Sequence, residues 1–355
     1  MPGPELVIEA AAPAAPRVPL TFDRKVLAIQ VAFAAIVAIG LGANAVKVVP
    51  DFSAFWAAHH VATPYDAAVL GKAAGAKTIF PYAPTFLVMT FPLAWVSLTV
   101  GYLAWVALSA GGLVASMRRL SAPLTLMVPA VLMGIVAGQT CLIMGALLYA
   151  GATLRSRPLL AGALLGVAAC IKPQVVVLLP FVLLPARAWR MIAGAVGAGM
   201  VLCLAATLVY GPDIWWDWLG SLPGFLKAND MAFTGRYLAL PGPWKIVALA
   251  VGAAAAAWAA WRGQLERGVF IAIAAALLGS LHAMDYDAAI LAPFAVSAAL
   301  ANRRLALPYL AALAFPPSLW TVLAMAALAT WSILEGGQRL TLAPQVGSKQ
   351  KGNMI

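Results

Sequence analysis

The sequence predicts an all-α polytopic membrane protein, a bundle of about twelve transmembrane helices with its longer loops at the outer face. Three observations predict it. Hydrophobic residues make up 63% of the 355 and charged residues only 10%, against about 25% charged in a soluble domain. Mean hydropathy is +0.93. Several apolar stretches approach the ~20 residues that a helix needs to cross a bilayer. The short alternating segments of a transmembrane barrel do not occur. A soluble globular enzyme and a disordered chain are excluded.

The elements follow in order. The first 20 residues are rich in Pro and Ala and lack an apolar period, so 1–24 reads as a flexible N-terminal tail. Arg24 and Lys25 precede the apolar run Val26–Val46. Ala43-Asn44-Ala45 has the small-residue form of a cleavage site. The run before it is long for a signal segment, so it is read as a retained helix. Further runs lie near 85–117, 124–137, 140–154, 158–171, 174–186, 190–210, 244–261, 268–282, 286–301, 305–315 and 317–334. The 85–117 run is long for one crossing and can kink or divide at Pro92. Counted as one, it gives twelve helices within 25–335, followed by a C-terminal tail, 336–355.

Charge gives the sidedness. Arg118-Arg119, Arg155 and Arg157, Arg187 and Arg190, Arg262 and Arg267, and Arg303-Arg304 fall on the side of both termini. Basic residues far outnumber acids there. The other side holds Lys47, Lys72, Lys77, Lys172, Lys227, Arg236 and Lys245 against an equal number of acids. The positive-inside rule therefore puts both termini in the cytoplasm of a cell (inner or plasma) membrane. The outer face then carries two long loops, 47–84 and 211–243, and short turns at 138–139, 172–173, 282–287 and 315–317. Net charge is +11, but its basic residues sit in small clusters between apolar runs, as loop anchors do, so nucleic acid is not an expected partner. Cys141, Cys170 and Cys203 lie inside apolar runs at no metal-ligand spacing and read as small buried hydrophobes.

The outer face concentrates the side chains that can do chemistry. Asp51 opens an amphipathic stretch in which Phe52, Phe55, Trp56 and His59 share one helical face, which could lie in the lipid headgroups. The carboxylate has two readings, a helix cap and a proton acceptor. His59 and His60 are adjacent, point apart on a helix and have no third ligand at helical spacing, so no metal site is expected. Asp66 reads as a turn residue. Gln139 either hydrogen-bonds a substrate hydroxyl or satisfies a helix end. Lys172, next to Pro173 between two apolar runs, either snorkels to the interface or binds a membrane-anchored phosphate. Arg236 is the best candidate for a second phosphate ligand, because its guanidinium can bind oxygens bidentately. Trp215, Trp216 and Trp218 suit the interfacial belt, or a stacked sugar. His282 and Tyr286 stand four apart in His282-Ala283-Met284-Asp285-Tyr286-Asp287 and share a face if helical, or the stretch is a turn with a capping Asp. No nucleotide loop, Walker lysine or serine-hydrolase elbow occurs, so no cofactor is expected and an activated substrate would arrive in the membrane itself.

These residues resemble glycosyltransferase family 87, the polyprenol-phosphate-mannose-dependent mannosyltransferases of the GT-C superfamily. The likeness rests on Asp51 with Trp56-Ala57-Ala58, on Pro64-Tyr65-Asp66, and on Tyr82-Ala83-Pro84 with Phe91-Pro92-Leu93. It continues through Gly138-Gln139, Arg157-Pro158, Ala161-Gly162, Gly166, Lys172-Pro173-Gln174 and Tyr286-Asp287. It spans about 26–301. Cys141 departs from an Asn common after Gly-Gln, which bears on sugar or acceptor contacts, and Ala83 from a second Pro. The resemblance implies a GT-C-like bundle and a polyprenyl-phosphate sugar donor. Asp51 would be the catalytic base, His282 a polar residue near the site, and Tyr82, Tyr286, Asp287, Gln139 and His59 supporting residues. The expected reaction is inverting transfer of a hexose to a glycolipid or glycan acceptor, with the bilayer itself as a partner. The competing expectation is a transporter or lipid flippase.

Overall fold

Proline sets where many of the helices begin. It lacks an N–H and is pre-shaped for the first helical position, so it starts a helix at no cost in hydrogen bonds. The computed structural model describes residues 24–45, 50–76, 78–117, 122–232, 238–301, 303–314 and 318–341. Among them every element is helical. After α1 (Arg24–Ala45) come α2 (Pro50–Ala57), α3 (Ala67–Ala74), α4 (Pro84–Thr90) and α5 (Leu98–Met117). Then follow α6 (Ala122–Leu126), α7 (Pro129–Ala137), α8 (Cys141–Thr153), α9 (Pro158–Ile171), α10 (Pro173–Val176) and α11 (Pro180–Leu183). The chain continues through α12 (Trp189–Tyr210), α13 (Ile214–Ala232), α14 (Trp244–Trp261) and α15 (Leu265–Gly279). It ends with α16 (Ala292–Ala301), α17 (Arg303–Ala314) and α18 (Leu319–Thr341).

Three of the described helices, α5, α12 and α14, are long and apolar enough to cross a membrane. Other apolar runs form shorter helices because proline divides them. The 85–117 run, counted as one crossing, is split by a 3-10 turn at Phe91–Trp95 that contains Pro92. The 124–137 run breaks before Pro129 and the 174–186 run before Pro180. The 211–243 segment, expected as a loop, holds the 19-residue α13. Its polar residues and Pro223 mask the helical period without preventing the helix.

The core centres on α15, buried along nearly its whole length, and on the Asp285–Leu291 turn that follows it. α12 lies outside, with Val196, Met200, Leu204 and Leu208 exposed on one face, as lipid-facing helices are. Its inner face meets α9 backbone to backbone. A methyl group on Gly162 would strike the Met191 carbonyl, and one on Gly166 the Ala195 carbonyl. Gly194 is as tightly placed against Leu159. The contacts advance together along both chains, so the two helices run parallel. Small residues four apart permit this approach.

The aromatic face of α2 does not lie in headgroups. Phe52 and Phe55 are fully buried. Phe55 meets Tyr82 and Phe86 edge-on at 5.2 Å, and Phe52 meets Tyr102 at 5.4 Å. Period assigned these side chains to one face; the packing of α4 and α5 against that face decided its environment.

Candidate functional site

A cavity of about 1370 Å³ opens where six separate segments converge. They are α2, α3, the 78–83 segment before α4, the α7–α8 turn, the α9–α10 break and the turn after α15, with α13 across them. The first six belong to the stretches that charge and alternation assigned to one face of the membrane. Asp51, Tyr82, Gln139, Lys172, His282 and Tyr286 all line the cavity.

Each is held by local structure. Asp51 sits in the first turn of α2, which the buried aromatic face anchors. Gly138 ends α7 at φ +62°, a conformation glycine adopts freely. A side chain there would press on Phe52 and Tyr102 at 2.8 Å, so Gly138 lets the turn approach closely enough to present Gln139. The Tyr102 hydroxyl donates to the Ile135 carbonyl at 3.0 Å and steadies the same end of α7. The buried Tyr82 hydroxyl donates to Gln139 Oε1 at 3.3 Å and lies 3.3 Å from the Thr140 hydroxyl. Its own carbonyl accepts from the Tyr65 hydroxyl at 3.0 Å. Burial pushes the Tyr82 phenol up to about 12. The nearby Lys172 charge opposes this, and the Asp287 and Asp51 carboxylates add to it.

Lys172 occupies the break between α9 and α10, where Pro173 stops one helix and starts the next. Thr85 donates to the Cys170 carbonyl at 2.7 Å and ties down that helix end. The Lys172 ammonium is buried and donates to Asp287 Oδ1 at 2.6 Å, forming a salt bridge. It also lies 5.7 Å from the centre of the Tyr286 ring. Asp287 Oδ2 accepts the Met284 N–H at 3.1 Å, which shapes the turn carrying His282 and Tyr286. Before it, His282 N–H donates to Ser280 Oγ at 3.0 Å. The His282 ring packs against Phe225 of α13 at 4.9 Å. Burial, with Lys172 beside it, pushes His282 down to about 4.

Among the described residues, His59 and Asp287 are predicted site residues that do not line the cavity. His59 Nε2 lies 2.9 Å from the Thr90 hydroxyl and its ring against Phe91, away from the cavity lining. Arg236 lies outside the described residues. Two residues beyond it, Leu238 N–H donates to the Ala283 carbonyl at 2.9 Å. Asp66 is the expected turn residue, capping α3 through the Ala68 and Val69 N–H groups. Among the described residues no group of three His, Cys, Asp or Glu side chains is placed to hold a metal ion.

Two features were not read from the sequence. One is the pairing of Lys172 with Asp287, 115 positions apart; only their opposite charges and equally apolar surroundings hint at it. The other is the α13 wall, where Trp218, Leu222 and Phe225 face the cavity and Trp218 donates to the Pro81 carbonyl at 3.2 Å. Its signal is the Trp215, Trp216 and Trp218 cluster, which the sequence leaves between an interfacial belt and a stacked sugar.

An apolar helical bundle with a cavity between helix ends, largely apolar but lined by Asp51, Gln139, Lys172 and His282, is the architecture of a membrane protein. Residues 80–284 match the family model of glycosyltransferase family 87, and the chain belongs to that family. It is therefore a membrane glycosyltransferase, acting on a sugar donor and an acceptor. No curated protein and no solved structure matches it. The matched segment includes Tyr82, Gln139, Lys172, Trp218 and His282, whereas Asp51, Tyr286 and Asp287 lie beyond its ends.

Proposed function

We propose that this chain moves a hexose, mannose by its resemblance to the family, from a polyprenyl-phosphate sugar to an acceptor hydroxyl at the outer face of the membrane. Both termini are then cytoplasmic and about twelve segments cross or enter the bilayer, a reading supported by the excess of Arg and Lys on the opposite face. The observation that carries the reaction is that Asp51, Lys172 and His282 line one cavity. Leu222, Leu226 and Leu281 on the same cavity wall suit a substrate that remains tethered to lipid.

In this reading the acceptor oxygen attacks the anomeric carbon as the bond to the phosphate oxygen breaks. Asp51 takes the hydroxyl proton, and polyprenyl phosphate departs. Lys172 stabilises the charge that builds on that phosphate, with Arg236 as a second ligand. One displacement inverts the anomeric carbon, so a β-linked donor gives an α product. The phosphate leaves without strong acid assistance, so a second carboxylate acting as acid, as in many glycoside hydrolases, is not required. Gln139, Tyr82, Tyr286 and His282 hold sugar hydroxyls.

The test uses purified full-length protein, polyprenyl-phosphate mannose and a glycolipid acceptor, without an ion gradient. Native protein is expected to form product, and Asp51→Asn to lower the rate about 10²- to 10⁴-fold at unchanged expression. A normal rate in Asp51→Asn removes the proposed base. Movement of the lipid without any product favours a flippase.

A further inference from the structure

The Lys172–Asp287 pair links two cavity segments that are remote in sequence. Both side chains are almost completely buried, at 7% and 2% exposure. Lys172 lines the cavity, whereas Asp287 does not. A buried ammonium is costly unless a counter-charge and good hydrogen bonds hold it. Asp287 supplies one at 2.6 Å, and its other oxygen is fixed by the Met284 N–H at 3.1 Å. The carboxylate thus stands behind the lysine, anchored to the turn that also carries His282 and Tyr286. An ammonium has three N–H donors, and the bond to Asp287 uses one of them. Others remain to be aimed at the cavity.

We infer that Asp287 is a positioning residue for binding of the lipid-linked phosphate: it holds the Lys172 ammonium charged and pointed at the cavity without touching the substrate. The inference rests on the reading of Lys172 as the phosphate ligand. Without the carboxylate, the buried lysine must either give up its proton or swing towards water, and each phosphate that binds must reverse that change. Binding then weakens, although a negative charge has been removed.

The experiment measures binding of polyprenyl phosphate to the purified full-length protein in lipid nanodiscs, in a double-mutant cycle. Lys172→Met and Asp287→Asn are each expected to weaken binding at least tenfold. Asp287→Glu should recover most of the affinity. Lys172→Met with Asp287→Asn removes both charges and keeps an acceptor for the Met284 N–H, so it should melt close to native. It should bind no more weakly than Lys172→Met alone. Native affinity in Lys172→Met would overturn the phosphate reading and this inference with it. If Lys172→Met is weak but Asp287→Asn binds as native or more tightly, the carboxylate only competes with phosphate, and the positioning role falls while the reading stands. Further loss on adding the Asp287 change to Lys172→Met would show that Asp287 acts on its own and also overturns the role. Recovery of affinity in the uncharged double variant would make the pair purely structural. Melting of each variant separates weak binding from misfolding.

Discussion

The two sides of the cavity are built differently. On one side α9 is packed between two helices, with Gly162 and Gly166 against the backbone of α12 and Ala161 and Leu165 against Gly151 of α8, and it delivers Lys172 at its end. On the other side α13 has Ile214 as its sole buried residue among those described, with Trp216, Leu219 and Leu226 exposed. It is tied by contacts at side-chain tips: Trp215 to the Thr207 hydroxyl at 2.9 Å, Trp218 to the Pro81 carbonyl, and Phe225 to His282. Close-packed backbone fixes a charged group to within the tolerance that chemistry needs. Aromatic tips on a half-exposed helix present a surface that can follow the shape of a ligand. In the proposed reaction the difference divides the work: the α9 side holds Lys172 in place, and the α13 side shapes the space around the sugar and its lipid.

The strongest way to break this contrast is to crowd the fixed side. Gly166→Leu has no room against Ala195, so α9 and α12 must part. Overpacking of this kind costs about 1–3 kcal/mol and occasionally more. The expected outcome is loss of most folded protein in detergent extracts, or a melting temperature well below native. An unchanged melting temperature would mean that the seam is looser than its geometry states.

A smaller effect is expected on the adjustable side. Trp218→Ala removes a cavity-lining ring and its hydrogen bond to Pro81, at a helix held lightly. Aromatic contacts are worth roughly 0.5–1.5 kcal/mol beyond burial, so KM for donor or acceptor should rise about threefold to tenfold with little change in melting. If melting falls as far as in Gly166→Leu, the two sides are equally rigid and the contrast is wrong.

The last effect is on stability against pH. Burial holds His59 and His282 down to about 4. In the unfolded chain they titrate near 6.5. Between these values the unfolded state binds more protons, so stability rises with pH across that window. It is full above about pH 6.5 and declines as the pH falls towards 4. His282→Gln should flatten part of that decline, read from melting temperatures between pH 4 and 8. A variant that keeps the whole slope would place the titration elsewhere.

Much of the site was legible because charge and hydrogen-bonding groups are rare in so apolar a chain. Asp51, Gln139, Lys172 and His282 stood out as polar exceptions between apolar runs, and all four line the cavity. His59 also stood out, yet faces Thr90. Polarity marks a residue that needs a partner and does not say whether that partner is substrate or protein. The α2 face teaches the same lesson. Its period was read correctly, but burial under α4 and α5 depends on residues 30 to 50 positions away.

The sequence by itself determined the helical class, the membrane setting, the proline-set starts of several helices and the stretches that share one face, because these depend on local hydrogen bonding and on transfer of apolar side chains from water. Tertiary structure alone decided that Lys172 meets Asp287 and that α13 walls the cavity. Such contacts follow from how rigid helices pack around α15, and no local property of either partner encodes the distance between them.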